Sequence, residues 1–143
     1  MHSGWNLKRY LSPSMLTAAL WTFRARLRAR QVVWQDGISV PLILPSSVGT
    51  APTATPAVEA VLARTRATCL VRSLVLQTWL ADHGEPVDVV IGVTPPSAGF
   101  RAHAWLDRVG ETGYEEFVEL HRLPAPRRLP VSSGDSAAGG TTR

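Results

Sequence analysis

The chain has 143 residues, 45% of them hydrophobic, with a formal net charge of +4 and a single cysteine. That length supports one domain with a real core, and no apolar run is long enough to span a membrane. One cysteine excludes an internal disulfide, and His2, His83, His103 and His121 are too scattered for a zinc site, so no metal or cofactor is implied.

In chain order, MHSGWNLKRYLSPSM lacks the continuous apolar core of a secretory signal. With the lone thiol, this sets a reducing cytoplasm as the expected location. Ser14 is a candidate cap for a helix from about Met15 to Gln31, with Leu16, Leu20, Phe23 and Leu27 at helical spacing and Trp21 beside them. Lys8, Arg9, Arg24, Arg26, Arg28 and Arg30 all precede the first acidic residue, Asp36. Such a stretch is either a solvated arginine face or a surface for an anionic partner. Aromatic residues do not interleave with the basic ones and no nucleic-acid motif is present, so nucleic acid is not an expected partner.

VVWQDG and ISVPLIL read as two extended segments around an Asp-Gly turn, with Pro41 arguing against a central strand. PSSVGTAPTATP, residues 45–56, reads as a linker or long surface loop. A second helix follows, from Thr55 or Pro56 to about Arg66, with Val58, Val61 and Leu62 on one face. Thr68 is the candidate cap of a third helix, Cys69 to His83, which Gly84 closes and Pro86 keeps from resuming. VDVVIGV is a β-branched strand, FRAHAWLD a second, and YEEFVEL a third, forming an antiparallel meander. In the second strand Arg101, His103, Trp105 and Asp107 share one face. From Pro124 the composition turns to Pro, Gly, Ser and Arg, as in a flexible tail. Helices followed by an antiparallel sheet make an α+β fold.

The chemistry turns on Cys69. A helix N-terminus offers partial positive charge and free amides, which favour a thiolate and an oxyanion. A distant histidine brought near by the fold completes such a site, and His103 is the candidate. Core packing is the competing account of a lone helical cysteine, and helix capping that of His83.

The cysteine with Leu-Val-Arg-Ser-Leu after it, the helix-ending Gly84, the Val-rich strand with Gly92, and Phe-Arg-Ala-His-Ala-Trp occur in one order. Together they resemble the transglutaminase-like cysteine peptidases that remove leaders in lasso-peptide biosynthesis, relatives of the microcin-processing protein. The likeness runs from about Val58 to Leu120, under half of the chain.

It implies a papain/transglutaminase-like fold, with the cysteine helix packed on a small antiparallel sheet bearing the histidine. A peptidase core would span 57–123, with a basic helix, extended segments and linker before it (1–56) and a tail after it (124–143). Cys69 would be the nucleophile, His103 the general base and acid, and Glu115 the carboxylate fixing the imidazole tautomer, with Glu116 and Asp107 as alternatives. The implied partners are the leader region of a precursor peptide, a separate small leader-recognition protein and, further, the lasso cyclase. Trp5, Trp21 and Phe23 are candidates for docking the recognition protein or the leader, with ordinary packing the competing account for Trp21 and Phe23. An acyl transferase joining glutamine to an amine, and a non-catalytic peptide-binding module, are the alternative functions.

Overall fold

The computed structural model describes residues 12–38, 42–110 and 112–127. Trp5, Pro41 and the tail beyond residue 127 lie outside the described residues, so the expectations placed on them do too.

Three helices form one layer: α1 (Pro13–Gln35), α2 (Thr55–Arg64) and α3 (Cys69–Asp82). Helix α1 starts earlier and ends later than its sequence pattern suggests. Ser12, rather than Ser14, is the cap, its Oγ accepting from the Met15 N–H at 3.3 Å. The VVWQ segment, expected to be extended, continues the helix to Gln35, with Asp36 as its cap and Gly37 at φ +68° turning the chain away. Val32 is buried and Val33 packs against the core in this last stretch, and that burial outweighs their preference for strands.

The buried face of α1 also differs from the leucine-rich one. Ala18, Trp21, Thr22, Ala25, Ala29 and Val32 are buried, whereas Leu16, Leu20, Phe23 and Leu27 are about half exposed. The three alanines let α1 approach α2 and α3 closely, and helix separation depends on the size of the contact residues. Trp21 thus packs inside, donating its indole N–H to the Pro45 carbonyl at 3.0 Å, while Phe23 stays outside.

The 42–54 segment is held rather than loose. Leu44, Ser47 and Ala54 are buried, and the Ser47 N–H and Oγ–H both donate to Asp82 Oδ2, at 2.5 and 2.6 Å. In α2, Val58 and Leu62 reach the core, and the Trp79 indole donates to Thr55 Oγ1 at 3.0 Å. Trp79, fully buried in α3, packs 5.3 Å from Trp21 and anchors the layer. Gly84, at φ +85°, closes α3 as the Glu85 N–H reaches back to the Leu80 carbonyl at 2.9 Å.

The second layer is a three-stranded antiparallel sheet: β1 (Val89–Val93), β2 (Ala102–Leu106) and β3 (Val118–Leu123). Its order is β2-β1-β3, not the expected meander. The connection 107–117 is too long for a tight hairpin, so the chain crosses β1 and pairs on its far side. Val90 faces Trp105 and Gly92 faces His103 across the β1–β2 ladder. Ala104, Leu106 and Val89 join the core with α3. Gln77 of α3 donates to the Val87 and Leu123 carbonyls, both at 3.0 Å, and so holds the helix to one end of the sheet, where the start of β1 meets the end of β3.

Candidate active site

Thr68 precedes α3 in extended conformation, and its Oγ1 accepts from the Val71 N–H at 3.4 Å. Its carbonyl accepts from the Arg72 N–H at 2.8 Å. Cys69 is the first helical residue, with a half-buried side chain. The amides of Cys69 and Leu70 donate to no group among the described residues, so this turn presents two free N–H donors.

His103 is the second residue of β2, also half-buried. Three rings surround it: Phe117 at 5.5 Å, Tyr114 at 5.6 Å and Trp105 at 6.3 Å between centroids. Trp105 and Tyr114 stack nearly parallel at 4.9 Å. Trp105 has room because Gly92, its diagonal neighbour on β1 and the partner of His103, carries no side chain. A Cβ there would stand 2.8 Å from the edge of the indole.

Cys69 and His103 line the same cavity, of about 300 Å³, along the outer edge of β2. Ser73 spans its floor, its hydroxyl donating to the Ala104 carbonyl at 3.2 Å. Glu59, Arg72, Trp105, Arg108 and Tyr114 complete its polar and aromatic lining. Arg72 was legible, since it lies three residues after Cys69 and so on the same side of the helix. Glu59 was not, because only tertiary packing carries α2 to this place. A larger cavity, of about 780 Å³, lies between the end of α1, α3 and the end of β3, away from Cys69 and His103.

Glu115 stands elsewhere than its strand pattern suggested. It lies in the turn before β3, and β3 pairs with β1 rather than with the histidine strand. Both its carboxylate oxygens accept from the Gly113 N–H at 3.0 Å, and this bond holds its pKa below the ordinary glutamate value. Glu116 pairs with Arg101 at 2.5 Å, and Asp107 with Arg122. None of the three lines the cavity; Glu59 does.

A family model described as the transglutaminase-like superfamily matches residues 17–123. The chain belongs to the transglutaminase-like superfamily. Its members are typically cysteine peptidases or acyltransferases, and this α+β layout of three helices and a small antiparallel sheet agrees with that fold. No curated protein and no solved structure matches the chain. No helix among the described residues is long and apolar enough to cross a membrane.

Proposed function

We propose that this member is a cysteine peptidase that removes the leader from a ribosomally made lasso-peptide precursor. The observation that carries the peptidase reading is the shared cavity: Cys69, at a helix N-terminus, and His103, on an edge strand, open into one space. The lasso assignment rests on the combined Cys-Leu-Val-Arg-Ser-Leu and Phe-Arg-Ala-His-Ala-Trp resemblance. The outer edge of β2 carries no partner strand among the described residues, which suits an extended peptide.

In this reading His103 takes the Cys69 proton, and the thiolate sulfur bonds to the scissile carbonyl carbon. The free amides of Cys69 and Leu70 receive the developing oxyanion. His103 returns the proton to the leaving amine, so the C–N bond breaks and a thioester remains on Cys69. Water, deprotonated by His103, then releases the acyl fragment and regenerates the thiol. The leader region of the precursor is the substrate, a separate small leader-recognition protein presents it, and the lasso cyclase uses the released amine. Glu115 is the proposed orienting carboxylate, as the residue next to Tyr114, whose ring stacks on His103. It serves that role by exchanging the Gly113 N–H for the imidazole N–H.

Incubating Cys69→Ala and the parent protein with precursor peptide and recognition protein, followed by mass spectrometry, tests this. Two fragments summing to the precursor plus water, seen with the parent alone, are expected. Cleavage by the alanine variant, or loss of ammonia in place of cleavage, overturns the peptidase reading.

A further inference from the structure

Helix α1 is apolar on two sides, and among the described residues only one of them is packed against the core. Outside the alanine face that packs on α2 and α3, Leu16, Leu20, Phe23, Leu27 and Trp34 are exposed, Trp34 by 80%. Their spacing alternates between four and three residues, with Arg30 in the one vacant step. At about 100° per residue they fall within a roughly 60° arc, running about 27 Å along the helix. That is the narrow seam by which one helix packs against another, not the face of 100° or more that an interfacial membrane helix buries. A shallow groove lined by Leu27, Arg30, Gln31, Trp34 and Gln35 continues it at the C-terminal end.

Charge decides what fits. Helix α1 carries Arg24, Arg26, Arg28 and Arg30 and no acidic residue. Arg26 is turned inward to the Thr65 carbonyl, while Arg24, Arg28 and Arg30 are exposed. A second copy would bring only further arginines from this helix, and like charges across a seam repel. We infer that this seam docks an amphipathic helix of another polypeptide, with leucine-like residues along its contact stripe and glutamate or aspartate flanking it. This surface is independent of the chemistry at Cys69.

The test titrates full-length protein with two synthetic helical peptides that share a Leu/Ile stripe, one flanked by Glu and one by Lys. The Glu peptide is expected to bind at least tenfold more tightly at low salt, with the preference shrinking at high salt. Leu20→Glu and Leu27→Glu should each weaken it tenfold or more with unchanged melting temperature, since both side chains are half exposed. Equal binding of both peptides, or none, overturns the proposal. So does a homodimer that Leu27→Glu dissociates. Binding that appears only when residues 1–11 are removed, or Leu27-dependent adsorption to phosphatidylglycerol vesicles without peptide binding, also overturns it.

Discussion

Gly92→Ala is expected to destabilise the sheet by way of the histidine's aromatic surroundings. The new Cβ would stand 2.8 and 2.9 Å from Cη2 and Cζ3 of Trp105 and 3.0 Å from Cβ of Phe117. To regain ordinary contact at 3.4 Å the indole must retreat by about 0.6 Å, but it is stacked on Tyr114 at 4.9 Å. Overpacking of this kind costs about 1–3 kcal/mol. Trp105 is half-buried and yields in part, so about 1–2 kcal/mol is expected, a fall in Tm of about 3–8 °C for a domain of this size. Thermal unfolding followed by circular dichroism reads the shift, and the near-ultraviolet spectrum reads the moved indole. Adding Trp105→Phe removes both close ring atoms, so the double variant should lose less than the sum of the single losses, by about 1 kcal/mol. A Tm within about 1 °C of the parent, with an unchanged near-ultraviolet spectrum, would refute the steric reasoning.

Thr68→Ala should cost about 0.5–1 kcal/mol by removing the cap of α3, the low end because the bond to Val71 is long, and Thr68→Ser should recover most of it in chemical denaturation. Asp82→Asn turns a charged acceptor of two Ser47 bonds into a neutral one, and is expected to lower stability by about 1–2 kcal/mol and to speed proteolysis within 42–50. Glu115→Gln should reduce kcat about tenfold or more with little change in KM, whereas Glu59→Gln should not; equal kcat for Glu115→Gln and the parent would remove Glu115 from the mechanism. The Gly113 bond lowers the folded pKa of Glu115, so what it adds to turn stability is present above the unfolded value and is lost as pH falls through the folded one. An acid titration of the turn's backbone signals should therefore show a midpoint below that of an ordinary glutamate.

The caps of α3 and the alternation of β2 were legible in the sequence because they depend on local rules. Thr68, Gly84 and the opposed faces of Ala104 and His103 are such cases. What was not legible depended on competition between distant segments. The leucine stripe of α1 is the more hydrophobic face, but the alanine face allows the closer fit to two helices, and shape complementarity outweighs hydrophobicity there. The strand order was hidden because pairing β3 with β2 or with β1 satisfies the same alternation, and only the span of 107–117 separates the two. That error carried over to Glu115, whose placement assumed a strand neighbouring His103. Of the cavity, Cys69 and His103 could be named from sequence, but Glu59 could not.

Among the described residues β2 is an edge strand, bonded into the sheet by β1 alone. Its grip on the cysteine helix is side-chain packing and the single Ser73 hydroxyl bond to Ala104. Fraying of this one strand would carry His103 away from Cys69 while the tryptophan-centred helical layer stays intact. The amides of β2 should then exchange with solvent faster than those of α3, and heat should silence acyl chemistry before the helices melt.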